Sequence, residues 1–266
     1  MRIAAVQLEI TLGQPEANIN RARGLLSAAK QQGAEIVLLP ELWTTGYDLE
    51  RAAGLAIHLK SDNEIAKLAR EFGVYLCGSV LEKSGGKFFN AFTIYSPHGE
   101  LLAVYRKLHL FAPLHEPEFL SPGDAPVSLE LPWGKSGLAI CYDLRFPELF
   151  RSYAVDGSRL ILVCAEWPHP RLEHWRTLLR ARAIENQCYV VACNAVGCVN
   201  ETVFFGHSMI INPWGEVLVE AGEMEAILSA DLDLAQVDQI RQQFPVLSDR
   251  RNELFSHQKA QKARKT

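Results

Sequence analysis

A layered α/β protein is what the sequence predicts, on three observations. Short runs rich in branched residues alternate with segments of helical periodicity from one end of the chain to the other. No repeat, linker or low-complexity stretch interrupts that alternation before the final polar residues. And 266 residues, 48% hydrophobic and 22% charged, contain enough apolar material for one large core. The alternation alone fits a three-layer arrangement as well as a four-layer one.

Each element has its own signal. Residues 3–8 form a branched apolar run, a first strand. Residues 17–32 carry an apolar stripe at Ile19, Ala22, Leu25, Leu26 and Ala29, with Gly33 placed to end the helix. The run 35–40 is continuously apolar after Glu35 and too short for a helix, so it reads as a strand buried on both faces that delivers Glu41 at its end. A helix near 62–72, a strand at 74–80, and a hairpin turning on Ser84-Gly85-Gly86-Lys87 follow. Residues 88–95 and 101–105, then 127–131 and 136–140, pair as strands across the turns at 97–99 and 132–135. Helix 147–155, strand 160–165, helix 171–187 and strand 189–194 restore the alternation. A hairpin over 207–219 turns on Asn212-Pro213-Trp214-Gly215, and a last strand and helix close a domain expected to span 1–247. The remainder, 248–266, reads as a polar, basic tail, free or packed on a partner subunit.

Composition narrows the function. Twenty-seven Lys and Arg against 31 Asp and Glu leave a net charge of -4, which argues against a general nucleic-acid or anionic-membrane surface. No apolar run approaches the ~20 residues that span a bilayer, and the first residues lack a signal-peptide pattern, so a cytoplasmic protein is expected. Six cysteines without a C-x-x-C pair fit neither a disulfide scaffold nor a zinc site; most read as buried apolar residues. No zinc-peptidase, P-loop or dinucleotide motif is present, and no metal or cofactor is expected. His109, His169, His174 and His207 lie near the expected site, yet Cys141 lacks the context of a papain-type peptidase.

Three polar residues are delivered by apolar elements: Glu41 after the strand ending at Pro40, Lys107 at the end of the strand 101–107, and Cys141 after 137–140, ahead of a helix opened by Pro147. A thiol with an ordinary pKa of about 8.5 is mostly protonated at neutral pH and needs a base or a cation beside it to act as a nucleophile. Glu41 and Lys107 offer both.

The segments around these positions, Leu38-Leu-Pro-Glu-Leu42, Tyr105-Arg-Lys-Leu-His-Leu-Phe111 and Ile140-Cys-Tyr-Asp-Leu-Arg-Phe-Pro-Glu148, resemble the nitrilase superfamily of carbon-nitrogen hydrolases over nearly the whole chain. The likeness extends to 181–187, Gly206-His-Ser208 and 212–216. It implies a four-layer α-β-β-α sandwich that usually assembles as a homodimer or a higher homo-oligomer. It also implies Cys141 as nucleophile, Glu41 as general base, and Lys107 with the backbone N–H of Tyr142 as oxyanion donors. A second glutamate is expected after the lysine: Glu116, with Glu118 the competing candidate.

Pro40–Asp48 and Ala165–Trp175 look most like the bacterial omega-amidase, or 2-oxoglutaramate amidase, branch. By that resemblance the substrate is a small terminal amide bearing an α-keto carboxylate. The alternatives within the superfamily are a broad aliphatic amidase and an N-carbamoyl-amine or deaminated-glutathione amidase. An anionic substrate calls for a cation in the pocket. Arg171 is the first candidate, His169 the second and Arg145 the third; for Arg145 an ion pair with Glu148 or Glu166 is the other reading. Tyr47, Trp167 and Phe111 are candidate pocket walls, and Glu166 either lines the site or pairs with an arginine.

Overall fold

A computed structural model describes residues 1–60, 62–199 and 201–255. In chain order the first strands are β1 (Arg2–Gln7), β2 (Ile36–Leu38), β3 (Tyr75–Ser84), β4 (Lys87–Tyr95), β5 (Leu101–Arg106), β6 (Ser128–Leu131) and β7 (Gly134–Ile140). They are followed by β8 (Leu160–Ala165), β9 (Tyr189–Asn194), β10 (Val196–Val199), β11 (Thr202–Phe205), β12 (Met209–Ile211), β13 (Val217–Glu220) and β14 (Ala226–Asp231). The helices are α1 (Pro15–Gln31), α2 (Ala52–Leu55), α3 (Glu64–Phe72), α4 (Glu116–Phe119), α5 (Pro147–Val155), α6 (Leu172–Asn186), α7 (Ala235–Gln243) and α8 (Asn252–Phe255). The expected tail therefore begins with a short helix, and its part from 256 onward lies outside the described residues.

Two six-stranded sheets result, ordered β14-β1-β2-β3-β4-β5 and β13-β12-β9-β8-β7-β6. Each has a parallel centre, β1-β2-β3 in one and β7-β8-β9 in the other, with antiparallel strands outside it. Alternation along the strands builds the layers, because successive side chains face opposite sides. In β1, Ile3 and Ala5 join the core shared with the second sheet, whereas Ala4 and Val6 pack with Ala22 and Leu26 of α1 and Ile65 and Ala69 of α3. On the far side α5 and α6 bury Phe150, Tyr153, Trp175 and Leu179 against the second sheet. The order helix, sheet, sheet, helix is the four-layer sandwich. Each fully buried Leu, Ile or Phe in these layers contributes about 1.5–3 kcal/mol of transfer free energy.

Local chemistry sets the element ends. α3 starts at Asn63, whose side chain accepts from the Ala66 N–H at 2.9 Å, and stops at Gly73 in the left-handed region. The β3–β4 hairpin turns on Gly85 and Gly86, at φ of 56° and 76°, the pair a two-residue primed turn requires. One hairpin, β10–β11, was not anticipated. Its strands are only four residues each and half-exposed, and Gly197 interrupts the first, so neither offers the long branched run that marks the others.

Candidate active site

The parallel strand centres end at the same edge of the sandwich, and there the chain delivers its buried polar groups. Glu41 follows β2, Lys107 follows β5, Cys141 follows β7 and Glu166 follows β8; Glu41, Lys107 and Glu116 are fully or almost fully withdrawn from solvent. The turn after β2 is held against β3, with the Leu42 N–H donating to Ser79 Oγ at 2.8 Å and the Trp43 N–H to the Ser79 carbonyl at 3.1 Å. Leu42 and Cys141 both adopt left-handed backbone, at φ of 41° and 44°. Non-glycine residues rarely do so, and such strain is sustained only where surrounding contacts enforce it.

Lys107 is the hub. Its ammonium donates to Glu41 Oε1 at 2.7 Å, to Glu116 Oε1 at 2.6 Å and to the Tyr47 hydroxyl at 3.2 Å, so all three of its protons are committed. The Tyr47 hydroxyl sits 2.7 Å from both Glu41 Oε1 and Glu116 Oε1, with one proton to give between them. Asn90 Nδ2 donates to Glu41 Oε1 at 2.8 Å, and the Glu166 N–H to Glu41 Oε2 at 2.8 Å. The Phe111 N–H donates to Glu116 Oε2 at 2.6 Å. Glu118, by contrast, is exposed and pairs with His115. Of the two candidate second glutamates it is Glu116 that meets the lysine. Tyr47, expected only as a wall, belongs to the charged cluster.

The electrostatics follow from this packing. Burial works to raise the Glu41 pKa, but the charge and hydrogen bond of Lys107, helped by Tyr47 and the Glu166 N–H, carry it below the ordinary carboxyl value. Burial works to lower the Lys107 pKa, and the two carboxylates more than reverse it, so the ammonium is held well above its usual range. Burial and the negative charge of Glu41 push the Cys141 thiol well above the ordinary value, with Lys107 opposing. The resting site thus holds a thiol beside an ionised base, not the preformed thiolate that a neighbouring cation alone would favour.

Asp143, two residues past Cys141, went unnoticed in the sequence. It is fully buried and takes four partners: the Tyr105 hydroxyl at 2.7 Å, the His109 N–H at 3.1 Å, His109 Nδ1 at 2.8 Å and the Ile140 N–H at 3.0 Å. It ties the end of β7 to the segment carrying Lys107, fixing the thiol relative to the ammonium. The Y-x-K-x-H and C-x-D spacings were the available signal, but nothing local says that the two segments meet. Tyr142 occupies the first turn of the 3-10 helix Cys141–Arg145, where backbone N–H groups have no partner within the helix.

The remaining expected residues divide. A narrow pocket of about 10 Å³ is lined by Cys141, Phe111, Tyr142, Arg145, Trp167 and Arg171. Arg145 forms neither expected ion pair among the described residues: its guanidinium lies 4.8 Å over the Trp167 ring, and Nη2 is 3.3 Å from His174 Nδ1. The expectation failed because Trp167 offers a planar face beside it. Arg171 sits 5.7 Å over the Phe111 ring, with Nη1 donating to the His169 carbonyl at 3.4 Å. His169 itself is exposed against Phe205 and does not line this pocket. Glu166 pairs with no arginine among the described residues; it lines a second, open cleft of about 520 Å³ with Tyr47. Asn194 buttresses this turn, accepting from the Trp167 N–H at 2.6 Å and donating to its carbonyl at 3.1 Å. No helix among the described residues is long and apolar enough to cross a membrane.

Comparison with known proteins agrees in kind. The carbon-nitrogen hydrolase family pattern matches residues 2–242. A 2-oxoglutaramate amidase of Bacillus subtilis is 41% identical over 256 residues, 95% of this chain and 98% of that protein. Omega-amidase NIT2 of Bos taurus is 38% identical over 266 residues, 96% of each chain. Among solved structures, a CN-hydrolase superfamily protein from Xanthomonas campestris with an arsenic adduct in its active site superposes with a TM-score of 0.87 at 31% identity, covering 94% of this chain and 97% of that one.

Proposed function

This chain belongs to the carbon-nitrogen hydrolase family, and from that premise we propose that it is a cysteine-dependent amidase of omega-amidase type, releasing ammonia from small terminal amides such as 2-oxoglutaramate and 2-oxosuccinamate. One observation carries the reading: a buried thiol on strained backbone beside an ionised carboxylate that is locked to a lysine.

Substrate binding begins the reaction with its carbonyl carbon at Cys141 Sγ. Glu41 takes the thiol proton as sulfur attacks, so thiolate exists only as the C–S bond forms. The oxyanion is met by the Tyr142 N–H and by Lys107. Since the ammonium has no spare proton, it exchanges its longest bond, to Tyr47, for the oxyanion. Collapse breaks the C–N bond, Glu41 returns its proton to nitrogen, and a thioester remains. Water, deprotonated by Glu41, then cleaves the thioester. Glu116 keeps Lys107 charged and aimed throughout.

The two arginines beside Cys141 supply the cationic wall that an α-keto carboxylate requires, with Arg171 and Arg145 both in reach of a substrate seated there. A pocket of about 10 Å³ holds no more than a water, so binding requires the side chains that line it to part. We further propose a cytoplasmic homodimer; the exposed Val155 on α5 and Ile184 on α6, with Trp214 in the turn beside Ile184, supply apolar surface for a second copy.

The test is ammonia release by wild-type and Cys141→Ala protein from 2-oxoglutaramate, succinamate, glutaramate, butyramide, an N-carbamoyl amine and a simple nitrile. Preference for the carboxylate-bearing amides, abolished in the variant, is the expected result. Equal turnover of butyramide would reduce the reading to a general aliphatic amidase, and turnover by Cys141→Ala would remove the thiol from the mechanism.

A further inference from the structure

Glu166 is a buried titratable group beside the site that takes no part in the steps from Cys141, Glu41 and Lys107. Its residue is 2% exposed, and its Oε1 is buried without a hydrogen-bond partner among the described residues. Its backbone N–H holds Glu41, the base, while its carboxyl lines the ~520 Å³ cleft with Tyr47, Asp48, Glu50, His115 and Glu118. The two openings at this site thus differ in sign. The pocket at Cys141 carries Arg145 and Arg171, whereas the cleft beyond Glu166 carries three further carboxylates, of which Asp48 is paired with Arg51, Glu118 with His115, and Glu50 with no partner among the described residues.

We propose that Glu166 carries a proton, gives it to the departing ammonia, and passes the resulting ammonium ion out through the acidic cleft. The step rests on the amidase reading and balances. Collapse of the tetrahedral intermediate breaks the C–N bond, and nitrogen receives the thiol proton through Glu41, giving neutral ammonia. The Glu166 O–H bond then breaks as a fourth N–H bond forms, leaving a carboxylate and ammonium. The carboxylic acid released by hydrolysis of the thioester loses one proton at neutral pH, and an equal proton returns to Glu166 by way of solvent.

Two consequences make the arrangement useful. Ammonia set free beside a thioester is a nucleophile that can return; as ammonium it has no lone pair. An ammonium ion is drawn toward Glu50 and the unpaired oxygen of Glu166 and away from the arginines, so the two products leave by different openings. The groups facing Glu166 agree with a resting proton on it: burial first, then the charge of Glu41, raise its pKa well above the ordinary carboxyl value, with Lys107 opposing and Glu116 adding to the rise.

An ester of the same acid provides the test, because its alcohol leaves neutral with the proton from Glu41 and needs no second one. kcat/KM is measured for the best amide of the panel and for the methyl ester of the same acid, in wild-type, Glu166→Gln and Glu166→Asp proteins. In Glu166→Gln the amide value is expected to fall about tenfold or more and the ester value to stay within about threefold, with Glu166→Asp recovering part of the amide rate. Equal losses for amide and ester, or an unchanged amide value, overturn the proposal. If Glu166→Gln does not fold, the amide-to-ester ratio of Glu166→Asp decides: lower than wild type supports the proposal, equal overturns it. A wild-type enzyme that turns over no amide defeats the amidase reading itself, whereas amide turnover with an unaltered ratio defeats only the role of Glu166.

Discussion

The turn after β7 and the turn after β8 each bury a carboxyl group next to the site, and they treat it in opposite ways. Asp143 is saturated, with four partners drawn from two segments. Glu166 has an oxygen with none among the described residues, and its side chain faces an open cleft. A saturated buried carboxylate fixes geometry, because moving it leaves several donors unpaired. An unsaturated one is costly to fold around and persists where it serves something that comes and goes. The contrast separates scaffold from chemistry without reference to sequence motifs.

The contrast breaks most visibly at Asp143. Asp143→Ala orphans the Tyr105 hydroxyl and the backbone N–H groups of His109 and Ile140, and at ~1–3 kcal/mol for each buried donor the expected loss in urea unfolding is ~3 kcal/mol or more. A loss under ~1 kcal/mol would mean that the bracket is not structural. Glu41→Gln examines the intermediate case, a well-bonded carboxylate that also acts as a base. The fold should persist, while kcat on the preferred amide drops about a hundredfold or more. Wild-type kcat/KM should hold as pH falls through the ordinary carboxyl range and decline only below it, since the Glu41 pKa is lowered.

Glu166→Gln sharpens the comparison through stability. Glu166 has a raised folded pKa, so the folded form keeps a proton that the unfolded chain gives up near the ordinary value of 4.5. Wild-type stability attributable to this group is therefore intact below that value and is lost as pH rises toward the folded pKa. A glutamine does not titrate. The stability of Glu166→Gln relative to wild type should rise by about 1.4 kcal/mol per pH unit across that window, and parallel unfolding curves at every pH would show that Glu166 is already ionised. The smallest effect belongs to Glu118→Gln, which removes an exposed pair with His115 and should change neither stability nor turnover of the preferred amide beyond ~0.5 kcal/mol. A hundredfold rate loss there would exchange the roles assigned to Glu116 and Glu118.

Much of this was legible in the sequence, and what was not has a common cause. The strands at 160–165 and 189–194 and the helix at 147–155 were read to the residue, because buried parallel strands and a proline-opened helix advertise themselves locally. The grouping of strands into two sheets came only from resemblance, since pairing is decided by partners far along the chain. Glu41, Lys107 and Cys141 could be singled out as polar groups at the ends of apolar elements. Tyr47 could not be recognised as the bridge between two glutamates, because Glu116 reaches it across 69 residues of chain. Arg145 misled for a related reason: sequence proximity to Glu148 suggested an ion pair, and the ring of Trp167 took the guanidinium instead.

The pairing of β1 with β14 runs the full length of both strands, Arg2 opposite Asp231 and Gln7 opposite Ala226. During synthesis, then, β1 waits for β14, more than 200 residues later. At 5–20 residues per second the gap lasts about ten seconds or more, and over that time one edge of an apolar strand stands unpaired. A ribosome that stalls before residue 226 therefore holds a protein whose first sheet lacks the strand that pairs with β1.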